Sequence, residues 1–171
     1  LAEHNFYCNT DKCQFALQEI KYLGHIVTAH TVKPDPYKVE VLQQWPMADL
    51  VSSPNNIRSF LGLAGYFRRF VPKFPTLADP LLHRISTREH QPWTVQCTES
   101  FNNIKAALVN ATVLRHPDSS KPYHIYTDAS DYAYGAVLTQ EYEGSLAPVA
   151  WIGRKLNRAE ENYYTLEKEL G

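Results

Sequence analysis

The chain has 171 residues, and seventeen Lys and Arg against eighteen Asp and Glu leave a formal charge of −1. Apolar residues make up 44%, charged residues 20% and aromatics 12%, which excludes a disordered tail and allows a buried core in one domain or two small ones. No apolar run approaches the ~20 residues needed to cross a bilayer, so no membrane partner is expected. Three cysteines, Cys8, Cys13 and Cys97, are too few for a disulfide framework and fit a reducing, intracellular compartment. Cys13 and Cys97 are expected to pack as small apolar side chains. A near-zero charge at first also argues against a nucleic-acid partner.

Eleven prolines cut the chain into short units. In residues 1–32, Phe15, Tyr22, Leu23, Ile26 and Val27 surround Gly24 and read as a β-hairpin or a pair of short strands. Asp35-Pro36 is a helix start, with Asp as cap and Pro in the first turn, and Trp45-Pro46 ends that helix. Ser53-Pro54 repeats the signal. Over residues 54–70, Ile57, Phe60, Leu61, Ala64 and Phe67 fall at helical spacing and predict the strongest helix. A short helix is predicted over 76–84. A further helix over 94–110 starts at Thr94 and carries a stripe of Cys97, Phe101, Ile104 and Leu108. The pattern changes between 117 and 121. Strands are predicted over 124–128, 134–139 and 148–152. Asn157 with Glu160 three residues on then resembles a capping box opening a helix over 159–170. The expected fold class is α+β, with residues 33–116 helical and 120–171 reading β-β-β-α.

Two constellations carry chemistry. On the helix from Pro54, a second face holds Arg58, Gly62, Gly65, Tyr66 and Arg69. Each glycine inside a helix costs about 1 kcal/mol relative to Ala, so a compensating use is expected. One reading is helix–helix packing at the glycines with the arginines as a solvated rim. The other is close approach of a nucleic-acid duplex. Within residues 55–90, Arg58, Arg68, Arg69, Lys73, Arg84 and Arg88 face only Asp79 and Glu89, a local excess of basic charge suited to phosphates. The second constellation is Asp128, after an apolar strand, with Glu167 and Glu169 late in the last helix. A strand carboxylate and a helix carboxylate that face each other can share Mg²⁺ or Mn²⁺. The alternative is a turn Asp and two surface glutamates.

In this order and spacing the motifs are specific. They include Lys12-Cys13-Gln14-Phe15, Tyr22-Leu23-Gly24-His25-Ile26-Val27, Arg58-Ser59-Phe60-Leu61-Gly62-Leu63 and Tyr66-Phe67-Arg68-Arg69-Phe70. Later come Thr127-Asp128-Ala129-Ser130, Gly135-Ala136-Val137-Leu138, Arg154-Lys155-Leu156 and Glu167-Lys168-Glu169-Leu170. Over nearly its whole length the chain resembles the Pol polyprotein of Ty3/gypsy-type LTR retrotransposons. The resemblance implies three parts. Residues 1–32 correspond to the end of the reverse transcriptase palm, with a primer-grip-like hairpin at Tyr22, Gly24 and His25. Residues 33–118 correspond to a helical thumb, in which Arg58, Gly62, Gly65, Tyr66 and Arg69 meet the duplex. Residues 119–171 correspond to the N-terminal half of an RNase H-like domain, in which Asp128 and Glu169 match the first two catalytic, metal-binding carboxylates.

The resemblance further implies an RNA–DNA hybrid or template–primer duplex and the remainder of the Pol polyprotein as partners. It implies Mg²⁺ or Mn²⁺ as cofactor of the full-length enzyme, and a location in cytoplasmic virus-like particles or the nucleus. The chain opens on Leu1 and closes on Gly171 straight after a charged run, so a segment of a longer polypeptide is expected. It would lack the polymerase Asp pair and the later RNase H carboxylates. Such a segment is expected to be inactive alone and to hold no metal tightly. Trp151 and Gly153 stand where the family usually has Tyr and Ser. Two other readings stay open. One is an inactive remnant or domesticated host protein that keeps a nucleic-acid or protein binding surface. The other is an interaction module that buries its exposed strand edge, for instance in a homodimer.

Overall fold

The structure is a computed structural model that describes residues 2–7, 9–86, 92–130, 133–157 and 159–163. The first unit is an antiparallel meander of β1 (Glu19–Tyr22), β2 (His25–Thr28) and β3 (Thr31–Pro34), completed by β4 (Leu114–Arg115) beside β3. Tyr22 pairs with His25, which leaves Leu23 and Gly24 as a two-residue turn. Both have positive φ, 46° and 74°, the twist that matches flanking strands. Gly24 adopts this at no steric cost, whereas Leu23 stores strain at the hairpin tip.

Between β3 and β4 the chain makes α1 (Pro36–Gln43), α2 (Met47–Ser52), α3 (Pro54–Tyr66), α4 (Phe74–Ser86) and α5 (Val95–Val109). The expected caps form. Asp35 accepts from the Tyr37 N–H, Ser53 from that of Asn55 and Thr94 from that of Cys97, each satisfying a donor that a helix start leaves unpaired. The helical faces converge on one core. Leu42, Leu50, Ile57, Phe60, Phe67, Phe70, Leu81, Phe101, Ile104, Leu108 and Leu114 are all 2% exposed or less, and the Phe60 and Phe101 rings lie 4.9 Å apart. Cys97 joins this core, but Cys13 does not. It is exposed, with its thiol donating to the Asn9 carbonyl.

The second unit is an antiparallel sheet of β5 (His124–Ala129), β6 (Ala133–Tyr142) and β7 (Ser145–Lys155), in the order β5-β6-β7. Tyr142 pairs with Ser145 across Glu143-Gly144, both at positive φ. The linker before β5 is fastened by Gln140, which is fully buried. Its amide donates to the Asp118 and Lys121 carbonyls and accepts from the Asp118 N–H and the Tyr142 hydroxyl.

Several expectations change in detail. The helical stretch expected over 33–116 is bracketed by β3 and β4, whose register is Thr31↔Arg115 and Val32↔Leu114. The segment between the two X-Pro signals is itself helical, as α2, because Leu50 is drawn fully into the core. The long helix ends at Tyr66. Phe67 leaves the helical region (φ −98°, ψ 10°), and a 3₁₀ turn over Arg68–Phe70 lets both Phe67 and Phe70 enter the core. At Asn157 the capping box closes reciprocally. The Asn157 Oδ1 accepts from the Ala159 and Glu160 N–H groups, and Glu160 Oε2 accepts from the Asn157 N–H. A 3₁₀ turn, Glu160–Asn162, follows. The rest of the expected final helix lies outside the described residues.

Candidate functional site

The β1–β2 hairpin and α3, well separated in sequence, form one surface. The Tyr66 hydroxyl donates to the Leu23 carbonyl at 2.5 Å, and His25 Nδ1 donates to the same oxygen at 3.0 Å. The His25 ring lies 5.1, 5.6 and 5.4 Å from the rings of Tyr66, Phe67 and Phe70. A Cβ on Gly24 would sit 3.7 Å from Tyr66 Cε1 and 3.9 Å from Phe67 Cζ. The hairpin turn is therefore seated on the C-terminal end of α3. Its outer side stays open, with Tyr22 61% and Leu23 68% exposed.

Along α3, the strip of Arg58, Gly62, Gly65 and Tyr66 leads away from the hairpin. Among the described residues, a Cβ on Gly62 would meet nothing within 4 Å, and one on Gly65 only the Phe74 ring edge at 4.0 Å. The packing explanation for these glycines therefore fails at Gly62. The helix bears the cost of a mid-helix glycine with no contact to the described residues in return. Arg58 is exposed and donates to the Asn55 side chain at 2.9 Å, which holds the guanidinium beside the strip. Arg69 does not share that strip. It sits on the 3₁₀ turn past the end of α3, 5.6 Å from the Phe70 ring, and lines a groove of about 280 Å³ against Trp151 and Gly153 of β7. Helical spacing cannot be extended to it because the helix has ended. Of the six basic residues singled out around α3 and α4, Arg88 lies outside the described residues. Arg84 is buried, donating to the Val51 carbonyl and stacked over Trp93, and so belongs to the core rather than to a basic face.

Asp128 lies near the end of β5, opposite Gly135. Its carboxylate is paired with the ammonium of Lys73, Oδ2 to Nζ 2.7 Å, a partner that sequence inspection missed because Lys73 is 55 residues away in the turn before α4. Glu167 and Glu169 lie outside the described residues. Among the described residues no group of three His, Cys, Asp or Glu side chains could hold a metal ion. Farther along the sheet, Arg154 and Glu160 form a two-pronged pair at 3.1 and 2.8 Å. This bond, followed by the Asn157 N–H, holds the Glu160 carboxyl below its ordinary pKa and the Arg154 guanidinium above its own.

The matching family is the RNase H-like domain found in reverse transcriptase, over residues 93–171. Curated relatives extend the similarity to nearly the whole chain. The retrovirus-related Pol polyprotein from transposon opus of Drosophila melanogaster is 36% identical over 99% of this chain and 18% of its own length. The transposon Tf2-3 polyprotein of Schizosaccharomyces pombe is 33% identical over 99% of this chain and 13% of its own. The chain thus spans less than a fifth of either. Among solved structures, foamy viral protease-reverse transcriptase in complex with dsDNA matches with a TM-score of 0.73 and 26% identity, over 89% of this chain and 31% of that one. The same enzyme in complex with RNA/DNA hybrid matches with a TM-score of 0.71 and 26% identity, over 90% and 20%.

Proposed function

The chain is a homologue, over nearly its whole length, of part of the Pol polyproteins of Ty3/gypsy-type retrotransposons, and on that premise we propose that its hairpin and α3 grip an RNA–DNA hybrid or template–primer duplex. In this reading the β1–β2 hairpin is the primer-grip end of the palm, α1–α5 are the thumb, and β5–β7 open an RNase H-like domain. The whole protein copies RNA into DNA and cleaves RNA in hybrids. The observation that carries the proposal is the empty space over Gly62, beside Arg58 and continuous with the Tyr66-anchored hairpin. A bare helix face lets the sugar–phosphate backbone come close. An arginine beside it meets phosphate oxygens, and backbone contacts of this kind position a protein without reading sequence. Solved relatives of the same fold hold dsDNA and RNA/DNA hybrid, which supports the duplex as ligand.

Arg58 neutralises phosphate, the Gly62–Gly65 strip admits the backbone, and Tyr22 and Leu23 offer exposed apolar surface to the strand end. In the full-length enzyme a divalent cation, Mg²⁺ or Mn²⁺, would supply the activation of water for phosphodiester hydrolysis. Asp128 and Glu169 are the positions here that match its ligands. We propose no turnover for the 171 residues by themselves, since the resemblance assigns only two of the carboxylates of an RNase H site, Asp128 and Glu169, to them.

The test is fluorescence anisotropy with a labelled RNA–DNA hybrid across a salt series. Wild-type affinity should fall steeply with salt, and Arg58→Ala should flatten the log–log slope by about 0.9, one phosphate contact. A salt-independent affinity, or a variant slope equal to wild type, would remove Arg58 and the α3 strip from the interface.

A further inference from the structure

The turn of the β1–β2 hairpin is tied down through both of its carbonyl groups. The Gly24 carbonyl accepts from the Asp35 N–H at 2.9 Å, and Asp35 is the cap of α1. The Leu23 carbonyl accepts from the Tyr66 hydroxyl and from His25 Nδ1. His25 belongs to the hairpin itself, so among the described residues Tyr66 is the hydrogen-bond partner that joins Leu23 to α3. Leu23 is held at φ +46°, a left-handed conformation that is costly for a residue with a Cβ and persists where surrounding structure enforces it. A tyrosine hydroxyl has one proton to donate. Tyr66 gives its proton to Leu23, and its oxygen lies 3.5 Å from His25 Nδ1. Tyr66 therefore has no hydroxyl proton left for a duplex, although it ends the helix that carries Arg58 and Gly62 and is 49% exposed.

We propose that Tyr66 is a positioning residue whose hydroxyl acts on the end of a bound strand through Leu23, and not by touching the duplex. It locks the left-handed turn and so fixes where the exposed side chains of Tyr22 and Leu23 stand relative to the α3 strip. The inference deepens the duplex reading and rests on it. It divides the grip in two. Arg58 and the Gly62–Gly65 strip take the body of the duplex, and the hairpin takes the end of a strand. Ring and hydroxyl of Tyr66 also have separate tasks. The ring packs, with its centroid 5.1 Å from that of His25 and 4.9 Å from that of Phe67. The hydroxyl alone reaches the Leu23 carbonyl. Removing it leaves the ring contacts and the Gly24–Asp35 bond in place, so the turn stays seated on α3 and loosens at Leu23.

The test compares Tyr66→Phe with wild type, each as the 171-residue chain, on two labelled RNA–DNA hybrids. One hybrid has a recessed 3′ end. The other is closed by a loop at each end and presents no strand end. Wild type should favour the recessed hybrid. Tyr66→Phe should weaken binding of the recessed hybrid by about 2- to 10-fold, the worth of one hydrogen bond, and leave the closed hybrid unchanged. Partial unfolding would lower both affinities by one factor, so the ratio of the two reports positioning. Without nucleic acid, amide hydrogen exchange over residues 19–25, read by mass spectrometry, should be faster in the variant, while exchange over residues 95–109 keeps the wild-type rate. The inference alone is overturned, and the α3 strip reading stands, if wild type does not prefer the recessed hybrid, if the variant keeps the wild-type ratio, or if exchange over residues 19–25 is unchanged. If wild type binds neither hybrid, the duplex reading falls and this inference with it.

Discussion

Replacing Gly62 by Ala separates stability from binding, because the structure assigns it opposite effects on the two. Gly62 is the ninth of thirteen residues in α3 and is exposed. A Cβ there meets no atom of the described residues within 4 Å, so no steric cost from them offsets the gain in helix propensity. Gly→Ala in an exposed helix interior stabilises by about 0.8–1 kcal/mol, which for a chain of this length raises the melting temperature by roughly 2–4 °C. If the duplex backbone lies on the strip, the added methyl forces it outward. Overpacking of a close contact costs about 1–3 kcal/mol, a loss of roughly fivefold or more in hybrid affinity. The assay pairs a thermal melt with hybrid anisotropy on one preparation. A variant less stable than wild type would refute the open space over Gly62. A variant more stable but equally tight in binding would refute the placement of the duplex on this face.

Two further outcomes follow from the second sheet. Gln140→Leu should destabilise the protein by about 1–3 kcal/mol in urea melts, because the half-buried Asp118 and Lys121 backbone groups that the amide satisfies lose their partners. A change under 1 kcal/mol would show that the linker is fastened elsewhere. Glu160 has a folded-state pKa below its unfolded one, owing first to Arg154 and then to the Asn157 N–H. Its contribution is therefore complete above the ordinary carboxylate range and is lost as pH falls through the folded value. Asp118, lowered by its bonds from Ser120, acts in the same direction. Glu160→Gln should be less stable than wild type at neutral pH, and the gap should narrow on acidification below the ordinary carboxylate range. A gap independent of pH would mean that the carboxylate charge is not what matters.

Much of this organisation was legible in the sequence because its causes are local. Asp35, Ser53 and Thr94 cap helices through N–H groups two or three residues on, and the Asn157–Glu160 box spans four residues. The period of Ile57, Phe60 and Ala64 marked the buried face of α3, and the three strands after Pro117 appeared as expected. The net charge of −1 decides nothing about a nucleic-acid partner, because it averages over the chain, whereas phosphates sense charge locally. The Asp128 and Glu169 motifs were legible as text. Glu169 lies outside the described residues.

Tertiary structure decided whatever depends on partners far along the chain. Helix α2 carries no start signal in its own residues, and the burial of Leu50 in a core built from other helices holds it in place. β4 is two residues long and exists because β3, some eighty residues earlier, offers an edge. The period of α3 could not reveal that Phe67 would break it to bury itself, carrying Arg69 off the strip. Spacing alone left the glycines of α3 with two explanations, and only the space around Gly62 excluded one of them. The pairing of Lys73 with Asp128 has no sequence signature, because an ion pair requires two charges to be brought close, and these lie on separate units, Lys73 in the turn before α4 and Asp128 on β5.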